Sequence, residues 1–343
     1  PPPGATHAPP NENIAVAVAG LGSQTSTRVD AAMYEHGPEA LGYPGRRVYR
    51  FSYRSPDGPR GHAPYTRTDT FGDITIAAGR LAELLARIAR RHPGRAVDLI
   101  AHSQGGVVAR TFLSMSARSW DPRLPRVEHL VTFATPHSGA PLAGGVEGLD
   151  NETFTGGFVL DGLSHWARRG GPVPDPRSVA VSQLSPDSAL VNWMATEDVS
   201  FGTRVLALGT PNDLVVPADR SLWRGKPGHI VPPAGIWGHD EIVASPIAQA
   251  LARNFLSDGA PACSSGWDLW GPRVGRFVGW LESKLSWAYA HAEKALGGLF
   301  GPAGKVAVDT LHRARAGRLI RSSKAYRWDE AEPADGGQDP STN

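Results

Sequence analysis

Apolar residues in this chain follow two rhythms, and the alternation between them predicts most of the fold. Short apolar runs at 14–19 (IAVAVA), 96–101 (AVDLIA), 127–134 (VEHLVTFA) and 204–209 (RVLALG) suit strands covered on both faces. The stretch 47–53 (RVYRFSY) alternates and predicts a further strand. Between these runs the period lengthens to that of a helix. Residues 74–91 carry apolar side chains at 74, 77, 81, 84, 85 and 88 and stop before His92-Pro93-Gly94. Helical spacing resumes after Gly105 through Val107, Val108, Phe112 and Leu113. Two more helices are expected at 184–194, with Ser185-Pro186 at its start, and from 241 to about 255, with Ile242, Ile247 and Leu251. Strand, helix, strand in this order implies a mostly parallel central sheet with helices on both faces.

Four segments depart from the pattern. Residues 1–13 are Pro-rich and read as an extended leader before a main domain at 14–257. Within 142–200 a Gly-rich stretch with Phe154, Phe158, Leu160, Leu163 and Trp166 reads as a cap or lid inserted over the site, or as a surface loop with its own apolar cluster. A linker at 258–272 precedes an amphipathic extension at 273–322, with apolar positions at 274, 277, 278, 281, 285, 289, 292 and 296 and a second helical piece at 305–320. The tail, 323–343, is acidic and reads as disordered.

Composition narrows the class. Hydrophobic residues at 41% and charged residues at 20% are ordinary for a globular protein, and a net charge of +2 argues against nucleic acid as the main partner. Charge is unevenly spread: over 271–325 ten Lys or Arg stand against Glu282, Glu293 and Asp309. With Phe277, Trp280 and Trp287 in the same segment, this suits peripheral contact with an anionic membrane surface; packing on the main domain or a partner subunit is the alternative. Cys263 is the sole cysteine, which excludes an intramolecular disulfide and a thiolate metal cluster. No apolar run approaches the roughly 18 residues that span a bilayer. The chain begins at Pro1 rather than Met, so a targeting segment or anchor removed before it is expected, and with it a secreted or cell-envelope location.

The candidate chemistry centres on Ala101-His102-Ser103-Gln104-Gly105, a serine in a sharp turn between strand and helix. Small residues two before and two after such a serine let the two backbones pass closely and leave the hydroxyl exposed. Ala101 stands where the strict pattern has Gly. Upstream, Gly20-Leu21-Gly22-Ser23 follows the first strand, a turn whose backbone amides can face a ligand. Downstream, Asp213 follows the strand at 204–209, and His239 lies in Gly238-His239-Asp240. Ligands of open parallel sheets bind at the carboxyl ends of strands, which brings Asp213, Ser103 and the Gly20 turn to one edge. The assignment is Ser103 as nucleophile, His239 as base and Asp213 as the acid that orients it, with the Leu21 and Gln104 amides as oxyanion hole. Asp240 is set aside because a neighbour in sequence rarely reaches the ring of the adjacent histidine with good geometry. His102 and His137 read as structural hydrogen-bonding partners, since one base suffices. No histidine pair has helical metal-ligand spacing, so no metal is expected; no cofactor is expected either.

The order Ser, Asp, His, together with Ile100 to Gly106, Thr135 to Gly139, Gln183 to Ser188 and Gly209 to Pro217, resembles bacterial α/β-hydrolases of the lipase and esterase type, close to the GPI inositol-deacylase-like group. The resemblance covers roughly 14–256. It differs after the first strand, where that group often has His-Gly and this chain has Ala19-Gly20. It implies an α/β-hydrolase fold with a cap insertion and a C-terminal helical extension, hydrolysis of a lipid-like or other acyl ester through an acyl-enzyme, and no metal. Acyltransferase or thioesterase chemistry by the same triad stays open, as does a catalytically silent binding module.

Overall fold

The computed structural model describes residues 9–25, 32–58, 63–119, 121–144, 175–197, 202–235, 238–259 and 262–299. The strands are β1 (Ile14–Val18), β2 (Val48–Arg50), β3 (Val97–His102), β4 (Val127–Phe133), β5 (Arg204–Gly209) and β6 (Gly228–Ile230). They form one parallel sheet in the order β2-β1-β3-β4-β5-β6. Every residue of β1 and β3 is buried, as strands covered on both faces must be. The chain leaves β1 toward one edge of the sheet and β3 toward the other. The crevice between these neighbours is therefore the topological switch point, where parallel sheets bind ligands.

The helices are α1 (Ala32–His36), α2 (Ile74–Arg91), α3 (Gln104–Arg118), α4 (Val179–Gln183), α5 (Ala189–Thr196), α6 (Ala218–Ser221), α7 (Pro246–Leu256) and α8 (Gly266–Leu299). In α2 the Asp73 side chain caps the start by accepting from Thr75 N, and the expected apolar stripe is buried. The fold is the α/β-hydrolase arrangement of parallel sheet and flanking helices.

Several boundaries differ from the sequence reading. The helix expected at 184–194 starts only at Ala189, under the Ser188 cap; Ser185-Pro186 belong to the turn before it, and the short α4, capped by Ser178, ends at Gln183 ahead of that turn. The helix expected from 241 is a 3-10 turn, Glu241–Ala244, followed by α7, which starts afresh at the Ser245 cap with Pro246 in its first turn. The second strand is confined to three residues, and β6 lies in what reads as a Gly and Pro loop.

Helix α8 starts seven residues before position 273, so much of the expected linker is helical. Its start is set by Asp268, which accepts from Ser265 N at 2.7 Å and ties the helix to Ile230 N at 2.6 Å. Pro272 lies inside it, and the glycines on either side of that proline let the helix dock closely. A Cβ at Gly271 would strike Ile230, and one at Gly275 would come within 2.5 Å of Asp219 Oδ1. The leader up to residue 8, the cap segment 145–174, the helical piece at 305–320 and the tail lie outside the described residues.

Candidate active site

Strand β3 runs straight into Ser103, whose φ of 53° and ψ of −131° form a tight turn that non-glycine residues rarely adopt. The turn is held by Ser103 N donating to Phe133 O at 2.9 Å and Gly106 N to Ser103 O at 3.0 Å. Crowding explains the small residues around it. A Cβ at Gly105 would collide with the carbonyl of Val18, and one at Gly106 with the Thr135 side chain. A Cβ at Gly20 would lie 2.7 Å from Ser103 Cβ, so the turn after β1 packs directly against the serine.

The three residues read as a triad come together here. His239 Nε2 lies 2.9 Å from Ser103 Oγ, and His239 Nδ1 lies 2.8 Å from Asp213 Oδ2. Asp213 is 1% exposed, and its other oxygen accepts from Val215 N at 2.8 Å and Val216 N at 2.7 Å. A carboxylate only accepts, so Nδ1 carries the ring hydrogen and Nε2 is left to accept from the serine hydroxyl. His239 reaches this position because Gly238, at φ 66°, passes so close to Asn212 that a Cβ would lie 2.8 Å from its carbonyl oxygen.

Electrostatics suit a base that accepts a proton. Burial pulls the His239 pKa down, but the charge and hydrogen bond of Asp213 and the charge of Asp240 outweigh it and hold the pKa above its usual 6.5. Asp240 itself is exposed and makes no hydrogen bond to the His239 ring among the described contacts; its nearest ion-pair geometry is 4.0 Å to His102 Nε2. His102 is driven down to about 4 by burial and by the neighbouring His239. It is neutral near pH 7 and donates from Nε2 to the His239 carbonyl at 2.8 Å. His137 is remote in role: its Nε2 bonds Thr132 Oγ1 at 3.0 Å, and burial, then Arg110, push its pKa well below the usual value.

Among the described residues, the backbone amides of Leu21 and Gln104 have no hydrogen-bond partner, while their neighbours Gly22, Ser23 and Ser103 donate within the protein. Thr70 is a residue that the sequence analysis does not single out. It is fully buried, accepts from Gly22 N at 2.9 Å through Oγ1, and accepts from Gln104 Nε2 at 3.0 Å through its carbonyl. The signal for this turn was present as Thr66-Arg67-Thr68-Asp69, a capping box that opens the 3-10 helix Arg67–Phe71. His102, His239 and Asp240 are the one group of side chains among the described residues close enough to share a metal ion, yet both rings are already committed to the bonds above.

Residues 62–144 match the family described as "Putative serine esterase (DUF676)", a stretch that includes Thr70, the serine turn and the Thr135 to Gly139 turn. The GPI inositol-deacylase-like group belongs to that family. The propeptide form of a lipase from Bacillus licheniformis is 18% identical, with a TM-score of 0.51 over 76% of this chain and 53% of that one. The mature form of the same lipase is 18% identical, with a TM-score of 0.49 over 73% of this chain and 94% of that one. A lipase-esterase related protein from Clostridium acetobutylicum is 14% identical, with a TM-score of 0.42 over 74% and 95% of the two chains. No curated protein matches the sequence. The sheet and the first of these structures give the α/β-hydrolase fold, and the family match supports a serine hydrolase.

Proposed function

We propose that this serine hydrolase cleaves carboxylic esters with lipid-like or other acyl groups through Ser103, His239 and Asp213. The observation that carries the reading is the unbroken hydrogen-bond line from Asp213 Oδ2 through both ring nitrogens of His239 to Ser103 Oγ. Ser103 Oγ attacks the ester carbonyl carbon as its proton passes to His239 Nε2, and Asp213 stabilises the resulting imidazolium. The carbonyl oxygen becomes an oxyanion facing the Leu21 and Gln104 amides. Collapse breaks the bond to the alcohol oxygen, which takes the proton from His239. Water then attacks the acyl-Ser103 ester by the same two steps, releasing the acid and restoring the serine. No metal or cofactor enters. An apolar substrate is supported by the exposed Leu214 and Val215 beside Asp213 and Leu142 beyond the Thr135 to Gly139 turn.

The test is hydrolysis of a p-nitrophenyl ester series by the wild type and Ser103→Ala. Losses of about 10⁴- to 10⁶-fold in kcat are expected, the range for triad members in a serine protease. Retained turnover would remove the reading. An added alcohol acceptor in the same assay separates hydrolysis from acyl transfer.

The partner reading extends to an anionic membrane surface. It is supported by Trp270, Phe277 and Trp280, which are 60%, 62% and 53% exposed on α8 with Arg273 and Arg276 among them, while Gly271 and Gly275 face the body. Each basic residue near such a surface contributes about 1 kcal/mol, screened by salt. Cosedimentation with anionic vesicles should weaken in Phe277→Ser and at high salt. Binding unchanged in both conditions would reject this partner.

A further inference from the structure

The two amides assigned to the oxyanion hole belong to segments far apart in sequence, and Ser23 and Thr70 bond to the segments that carry them. We infer that Ser23 and Thr70 are positioning residues for the oxyanion hole; this rests on the serine-hydrolase reading above.

Ser23 acts on the peptide that carries the Leu21 amide. Gly20 O accepts from Ser23 Oγ at 2.7 Å and from Ser23 N at 3.3 Å. In a trans peptide the carbonyl and the following N–H point in opposite directions, so fixing Gly20 O inward aims Leu21 N–H outward. The Ser23 hydroxyl is itself held 2.8 Å from Tyr65 OH, which lies 2.9 Å from Tyr34 OH, and all three residues are buried.

Thr70 secures the next peptide and the opposite half of the site. Its Oγ1 accepts from Gly22 N at 2.9 Å and donates to Arg67 O at 2.6 Å, so the hydroxyl has one orientation. Its carbonyl accepts from Gln104 Nε2 at 3.0 Å. One buried residue thus links the turn after β1 to the first residue of α3. Gly22, at φ 78°, needs such a tie, because a glycine turn otherwise has wide backbone freedom. Donors aimed in advance stabilise a developing oxyanion, whereas donors that must be reoriented lose much of that effect.

The experiment compares Thr70→Val, Thr70→Ser and Ser23→Ala with the wild type on one p-nitrophenyl ester. The readings are kcat, KM, the pH profile, thermal midpoint and inhibition by a trifluoromethyl ketone that adds to the serine as a charged tetrahedral species. Loss of a whole oxyanion donor costs about 10²- to 10³-fold in kcat, so loosening one should cost on the order of tenfold or more. Thr70→Val is expected to lower kcat and weaken the ketone by the same factor, with KM and the pH profile unchanged, and Thr70→Ser to restore both. Ser23→Ala, which keeps the backbone bond to Gly20 O, should show the same pattern more weakly, and it serves as the test if Thr70→Val does not fold. The inference is overturned if kcat falls without loss of ketone binding, if KM rises alone, or if Thr70→Ser is as impaired as Thr70→Val. Covalent labelling of Ser103 by a fluorophosphonate separates the two levels: a wild type that does not label refutes the hydrolase reading, while a labelled wild type with unaffected variants refutes only the positioning role.

Discussion

Two Asp-His pairs lie at opposite ends of β3, and their ring-to-carboxylate distances are the same. Beyond its C-terminal end, Asp213 Oδ2 lies 2.8 Å from His239 Nδ1; at its start, Asp98 Oδ1 lies 2.8 Å from His129 Nδ1, with the two residues in register on β3 and β4. What differs is the far side of each ring. His239 Nε2 meets a serine hydroxyl beside two amides without partners among the described residues. His129 Nε2 faces Arg204 and Asp258, each at 3.4 Å, and Asp98 also accepts from Asn11, Asn13 and Tyr43. A saturated network with no group left to react ties the chain before β1 to the middle of the sheet. An Asp-His pair is therefore not a site until something is left for the second nitrogen to do.

Exchanging the two histidines for alanine should separate these roles most sharply. His239→Ala is expected to lose about 10⁴- to 10⁶-fold in kcat with little change in urea stability. His129→Ala should keep the kcat of its folded fraction and lose about 2 kcal/mol, since a buried carboxylate loses one of its hydrogen-bond donors. A similar stability loss in both would dissolve the distinction.

The aspartates give the next contrast. Asp213→Asn keeps the shape but favours the wrong ring tautomer, and about 10⁴-fold in kcat is expected to go. Asp98→Asn turns an acceptor into a donor facing other donors, so a lowered denaturation midpoint with normal kcat is expected. A more damaging Asp240→Asn than Asp213→Asn would reassign the acid.

The pH profile is a gentler probe. The base works as neutral imidazole, and its pKa is held above 6.5, so kcat/KM should fall as pH drops through a value above 6.5. An acid limb well below 6.5 would contradict the account of the Asp213 charge. The smallest effect is expected from Asp240→Asn, which removes one charge that raises His239 and should move that limb to lower pH while leaving the plateau rate intact.

The apolar rhythm made the central strands and α2 legible because their burial depends on local sequence alone. The serine turn was legible for a related reason: steric crowding between strand and helix restricts residues within two positions of Ser103. Asp213 and His239 could be placed only at loop positions, and their contact is a product of the fold. The Asp98 network was invisible, since its partners Asn11, Asn13, Tyr43 and His129 are scattered and each reads as an ordinary polar residue. Thr70 escaped notice for the same reason, since its partners Gly22 and Gln104 lie far from it in sequence. In α8 the sequence misled, because the stretch up to 272 reads as a linker where the helix has already begun and its glycines serve close docking.

The central claim, that Ser103 is a nucleophile activated by His239, is tested most directly by peptide mapping after reaction with a fluorophosphonate. The account predicts a single modification on Ser103 in the wild type and almost none in His239→Ala over the same time. Modification elsewhere, or equal labelling of Ser103 without His239, would contradict it.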